Sequence, residues 1–167
     1  EQTLNNLALC YLAIRAFGKR ALLSEAFLTD LQVFIGIPVR REEVLSSGER
    51  VHDTWAVLGR KEEPLEDSNH VRRTWLLGLH TGRFALLLDF NFAGRGFEPG
   101  FPPGEVHSGE LAFYPSGWPQ RAIVPDTLTH VNEPIKHPPG DTRLEDFAAH
   151  YARALAAQPW LAHFPAM

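Results

Sequence analysis

Residues 71–92, VRRTWLLGLHTGRFALLLDFNF, decide how the chain is read. Over 71–79 the side chains alternate. Val71, Arg73, Trp75 and Leu77 fall on one face, and Arg72, Thr74, Leu76 and Gly78 on the other, which is the two-residue period of a strand. His80-Thr81-Gly82-Arg83 reads as a tight reversal, because glycine accepts the positive φ that a short hairpin turn needs. Residues 84–92 resume as a second, buried strand, with Phe84, Leu86, Leu88, Phe90 and Phe92 on one face. The hairpin carries Arg72, Arg73, Arg83 and a carboxylate, Asp89, so it is either a working site or a scaffold with charges.

The flanking segments extend the β pattern. RVHDTWAVLGRKEE (50–63) favours a strand through its β-branched and aromatic content, and PLEDSN (64–69) is a turn or loop. AGRGFEPGFPPG (93–104) is a Gly/Pro-rich loop. EVHSGELAFYP (105–115) is the next strand, SGWP (116–119) turns the chain, and QRAIVP (120–125) is a short strand. Residues 126–141 read as Pro-rich and irregular.

Helical periodicity brackets this core. Leu4, Leu7, Tyr11, Ile14 and Phe17 share one face of 3–17, and Gly18 is a stop. Leu23, Phe27, Leu31, Phe34 and Ile35 repeat the pattern up to Gly36 and Pro38, which predicts an antiparallel helical hairpin. REEVLSSG (41–48) is one more helical turn. Thr142-x-x-Glu145 reads as a capping box opening a helix to about Ala157, with Leu144, Phe147, Tyr151 and Leu155 along one face. QPWLAHFP (158–165) is an apolar tail expected to dock on the body.

The sum is an α+β chain. An N-terminal helical hairpin precedes a small antiparallel β-barrel or twisted sheet of about five strands, OB-like or SH3-like, and a C-terminal helix follows. The expected organisation is a helical segment over 1–48, a β domain over 49–125, and a Pro-rich loop and helix over 126–167 packing on the body as one unit.

Composition narrows the function classes. The 167 residues are 44% hydrophobic and 22% charged, enough for a core and too apolar for wholesale disorder. A net charge of −4 is a poor footprint for a dedicated DNA binder. One cysteine, Cys10, makes neither an internal disulfide nor a Cys-rich zinc site. With no signal peptide and no long apolar run, a soluble cytoplasmic protein without a membrane partner is expected. The chain starts at Glu1 in an apolar helical pattern without a methionine, so a fragment of something longer is expected.

Catalytic signals are weak. His52, Asp53, His80, Asp89, His107, His130 and His137 are metal or acid–base candidates by type, but none sits in a ligand motif, so neither metal nor cofactor is expected. GRGFEPG (94–100) lacks the Lys-Ser/Thr of a phosphate loop. Ser116 lies outside any G-x-S-x-G elbow, and Cys10 reads as a small residue at a core edge. Asp89, in an apolar strand, needs a cationic partner, and Arg73, Arg83 and Arg121 in neighbouring strands are available for a structural bridge. Arg72, Arg73, Arg83 and Arg121 with Trp55, Trp75 and Trp118 also suggest a basic, aromatic face that could stack single-stranded bases. Against it stands the reading in which the tryptophans are core and the arginines are paired.

HDTWAVLG, VRRTWLLGLHTGRFALLLDF, GELAFYPSGWPQRAIV and YARALAAQPWLAHFP, in that order, resemble the C-terminal region of bacterial SWIM zinc-finger family proteins. LALCYLAIRAF…LLSEAFLTDLQVFIGIPVRREEVL resembles the helical part that precedes it. The family's C-x-C…C-x-H zinc module cannot lie in a chain with one cysteine, so no zinc ligand carries over to any residue here. By association, the resemblance implies MoxR-type AAA+ ATPases and von Willebrand A-domain proteins as partners. Three functions follow in order of preference. They are a non-enzymatic protein-interaction domain, a single-strand-binding OB-like barrel using Arg73, Arg83, Arg121 and Trp75, and an enzyme with a site near Asp89, His80 and His107.

Overall fold

The computed structural model describes residues 2–65, 69–92, 96–132 and 143–165. Among these, four α-helices and a six-stranded sheet give the α+β class expected. The elements are α1 (Gln2–Gly18), α2 (Glu25–Phe34), α3 (Arg41–Ser47), β1 (Glu49–Pro64), β2 (His70–Gly78), β3 (Phe84–Asn91), β4 (Val106–Phe113), β5 (Arg121–Ile123), β6 (Thr129–Val131) and α4 (Leu144–Ala157). Two compact units result. One is Glu1–Arg41 with Pro115–Pro119 and Gly140–Met167, and the other is Glu42–Tyr114 with Gln120–Pro139.

In the sheet unit, β1 is long enough to pair twice. Its first half, Glu49–Ala56, runs antiparallel to β4, and Trp55–Pro64 runs antiparallel to β2, with a bulge between Val57 and Gly59. The order β1-β2-β3-β5-β4 therefore returns to β1 as a ring of five strands, with β6 added at the edge of β4. The expectation of a wholly antiparallel sheet needs correction, because β5 lies parallel to β3 at Leu86–Leu87. The β6 strand also corrects the irregular reading of 126–141, since Thr129–Val131 pairs with Ser108–Val106.

Closure of the ring decides which strand faces are buried. Its core is Trp55, Val57, Leu76, Ala85, Leu87, Leu111, Phe113, Ala122 and Leu128. In β3 this selects the parity of Ala85 and Leu87, opposite to the Phe84–Phe92 face, so the strand expected to be buried is buried only in part. Phe90 and Phe92 are exposed, at 47% and 62%. Alternation along one strand defines two faces but not which of them turns inward. Trp55 is fully buried and its Nε1 donates to the Gly109 carbonyl at 3.0 Å.

In the helical unit, Gly18 ends α1, a short 3-10 turn follows at Arg20–Leu22, and Ser24 caps α2 by accepting from the Phe27 amide. Gly36, at φ 94°, ends α2 in the left-handed conformation that glycine tolerates. Thr142 of the expected capping box lies outside the described residues. The helix begins after Arg143, whose backbone is extended and whose side chain makes no cap. The C-terminal tail packs on the helices: Trp160 contacts Ala13 and Leu31, edge-on to Phe27 at 5.1 Å and stacked on Phe34 at 5.6 Å. Asp30, buried in α2, accepts from the Gly117 amide at 2.7 Å and so ties the 115–119 turn to the helices.

Candidate functional site

The turn of the 71–92 hairpin is clamped by a residue on another strand. Asp53 of β1 is 3% exposed and its carboxylate accepts five hydrogen bonds. Oδ1 takes the Thr54 amide, the His80 amide at 3.1 Å and His80 Nδ1 at 2.8 Å. Oδ2 takes the Thr81 amide at 2.9 Å and the Thr81 hydroxyl at 2.6 Å. Burial pushes the carboxyl up, but the Thr81 and His80 side chains and amides more than offset this and hold it at about 2. Gly78 is required beside it, because a Cβ there would sit 2.3 Å from Oδ2. Every lone pair faces a structural donor, so Asp53 serves as a clamp. The sequence carries no local sign of this, since 27 residues separate Asp53 from His80.

The arginines are engaged. Arg73 is ion-paired with Glu63 on β1. Arg83 grips Glu49 through two bonds of 2.6 and 3.0 Å, which hold the Glu49 carboxyl below the usual range, and its guanidinium lies 4.1 Å over the Phe113 ring. Arg121 stands 4.2 Å over the Tyr114 ring. Trp75 is half-buried, Trp55 is core, and Trp118 belongs to the helical unit beside His150 and Phe164. Within the sheet unit Arg73, Trp75 and Arg121 share one face, since Trp75 and Arg121 are both register partners of Leu86 and Arg73 has the parity of Trp75.

Asp89 does have an arginine partner, but it is Arg72 rather than Arg73, Arg83 or Arg121. The two are register partners across β2 and β3, with Arg72 Nε 3.3 Å from Oδ2. Arg72 is the buried member, with its side chain 5% exposed against 52% for Asp89. Its guanidinium also donates to the Glu98 carbonyl at 2.6 Å and lies 4.4 Å over Phe97, so it pins the loop after β3. The asymmetry sets an expected result for two variants. Asp89→Asn should cost at most about 1 kcal/mol in urea denaturation, because the lost partner is solvent-exposed. Arg72→Ala should cost about 3 kcal/mol, because a buried hydrogen-bonded side chain is removed.

The trio His80, Asp89 and His107 falls into three separate pairs. His80 is with Asp53, Asp89 with Arg72, and His107 Nε2 is 3.0 Å from Glu105. His107 is buried, edge-on to Phe101 and to His130 of β6, and its Nδ1 has no hydrogen-bond partner among the described residues. Among the described residues no group of three or more His, Cys, Asp or Glu side chains could hold a metal ion. No helix there is long and apolar enough to cross a membrane.

The face that stands out chemically is on α1. Leu4, Leu7, Tyr11 and Ile14, the apolar face read at helical spacing, are 73%, 63%, 63% and 70% exposed, and Phe17 is 54% exposed. The side turned inward carries Leu9, Ala13 and Ala16. At 3.6 residues per turn the two sets point in opposite directions, and the exposed stripe runs for about 15 Å. The helix is apolar on both sides, and the periodicity of the larger side chains marks the outer one. Small alanines, which pack closely against Leu31 and Trp160, took the inner side.

Comparison of the chain with protein-family models, with curated proteins and with solved structures finds no match to any of them.

Proposed function

We propose that this chain is a non-enzymatic protein-interaction domain, an accessory part of a SWIM-type protein, that docks through the exposed stripe of α1. The observation that carries the reading is that stripe: four large apolar side chains, each at least 63% exposed, aligned on one helix face. Clustered apolar exposure of this kind marks interaction surfaces, because it is otherwise a standing cost in water. The engagement of Arg73 and Arg83 by carboxylates, and of Asp53 by structural donors, is consistent with a scaffold. The motif resemblance makes MoxR-type AAA+ ATPases and von Willebrand A-domain proteins the partners to test first.

The test is a pull-down with those two partner classes, comparing the wild-type chain with Leu7→Asp. Retention should fall at least about tenfold in the variant, as for a residue central to an interface. Equal retention by both chains would remove α1 from the reading.

A second reading rests on the sheet. The ring order β1-β2-β3-β5-β4, with β3 and β5 parallel, supports an OB-type assignment, and such folds bind single strands on the β2–β3 face. Phe90 on β3 and Phe92 just after it are exposed and stacked, with centroids 6.2 Å apart, as a platform for bases is. Titration of a labelled single-stranded oligonucleotide at low and physiological salt tests it. Binding that weakens steeply with salt and is lost in Phe92→Ala would support this reading, and no binding at either salt ends it.

A further inference from the structure

We infer that the partner of the α1 stripe is a second copy of this chain, bound helix to helix in an antiparallel, two-fold arrangement. The inference rests on the interaction reading above and names the occupant of that same face.

The spacing of the stripe is the first reason. Leu4, Leu7, Tyr11 and Ile14 are separated by three, four and three residues, the a-d-a-d pattern of a helix that receives another helix side by side. The pattern is also symmetric about its midpoint at Leu9. Turned end for end, it sets Leu4 against Ile14 of the other copy and Leu7 against Tyr11, so each apolar position meets an apolar position. Such self-complementarity is what a two-fold interface requires.

Charge selects the antiparallel sense. The first turn of α1 carries no acidic residue, and its cations, Arg15 with Lys19 and Arg20 just beyond, gather at the C-terminal end. A parallel pair would set these cations side by side. An antiparallel pair sends them to opposite ends and opposes the two helix dipoles.

Area is the third reason. The four stripe side chains, with Phe17 on their flank, offer on the order of 500 Å² per copy, so two copies bury about 1,000 Å², the lower bound for a specific interface. An interface of that size falls in the weak, transient class, so dimerisation should depend on concentration.

Cys10 supplies a geometric readout. It is exposed on the flank of the stripe, in the g position of the same heptad. In the antiparallel register g faces g across the two-fold axis, and the two thiols approach to about the 8–10 Å spacing of packed helices. In a parallel register they lie on opposite flanks.

The experiment is sedimentation equilibrium of the wild-type chain and of Leu7→Asp from about 5 to about 200 µM, with Cys10 cross-linking by a short bis-maleimide. Wild type should shift toward twice the chain mass across this range and cross-link in high yield. Leu7→Asp should remain monomeric, with dimerisation weakened at least about thirtyfold. Circular dichroism checks that its helix content is intact, and Leu7→Gln, which keeps helix propensity, repeats the comparison without a charge. Wild type that stays monomeric at about 200 µM overturns self-pairing. The pull-down then decides separately whether the face serves a different protein. A dimer unaffected by both variants lies elsewhere and also overturns it. A dimer lost in the variants but not cross-linked through Cys10 overturns the antiparallel register.

Discussion

Asp53→Ala is expected to destabilise the sheet unit by about 3 kcal/mol or more, the largest effect of any single polar substitution in it. The change strands the His80 and Thr81 amides, the Thr81 hydroxyl and the Thr54 amide, all of which bond to that carboxylate. Asn should recover only part of the loss, because its amide nitrogen would confront donors on one side. The wild-type protein should also show a pH signature. The Asp53 carboxyl is lowered from 3.8 to about 2 in the fold, so its contribution of about 2 kcal/mol is fully present above about pH 4. It is lost as pH falls from there toward 2. Urea denaturation at pH 7 and pH 3 measures this, and in Asp53→Asn that part of the acid sensitivity should vanish. If the variant keeps the wild-type pH slope, the clamp assignment is wrong. Asp30 in the helical unit has the opposite sign. Burial raises its carboxyl, so its contribution is present below the ordinary carboxylate range and is lost as pH rises through the raised value.

Trp160→Ala should cost the helical unit about 4 kcal/mol, within the range for emptying a large aromatic site. The indole fills the space between Phe27 and Phe34 and touches Ala13, so its removal takes the shared wall of α1 and α2 with it. Trp160→Phe should recover most of the loss. It keeps a ring in the stack and removes an Nε1 that is buried with no hydrogen-bond partner among the described residues. Amide hydrogen exchange is the discriminating measurement. Protection should collapse in α1 and α2 for Trp160→Ala and not in β1–β4. Uniform loss across both sets would show that the two units unfold together.

The sequence determined most of the elements by itself. Period-two alternation, the Thr81-Gly82 reversal and the Gly36 and Pro38 stops mark β2, β3, α1 and α2 close to their observed ends, because these signals are local backbone preferences. The short β6 strand was hidden in 126–141, since three residues with no alternation to read acquire a strand only by pairing with β4. Partner choice was hidden as well. An arginine beside Asp89 was expected, but that it is Arg72, and that Arg72 and not Asp89 is the buried member, follows from the β2–β3 register and the fold.

Inside and outside were decided by the tertiary structure alone. Alternation in β3 offered two faces, and ring closure turned Ala85 and Leu87 inward and left Phe90 and Phe92 in solvent. In α1 the larger side chains marked an apolar face, and packing on Leu31 and Trp160 took the alanine side and left Leu4, Leu7, Tyr11 and Ile14 exposed. The candidate site arises from that second decision. A pattern along one element specifies its own period, whereas burial depends on what lies across from it, and only the folded chain supplies that.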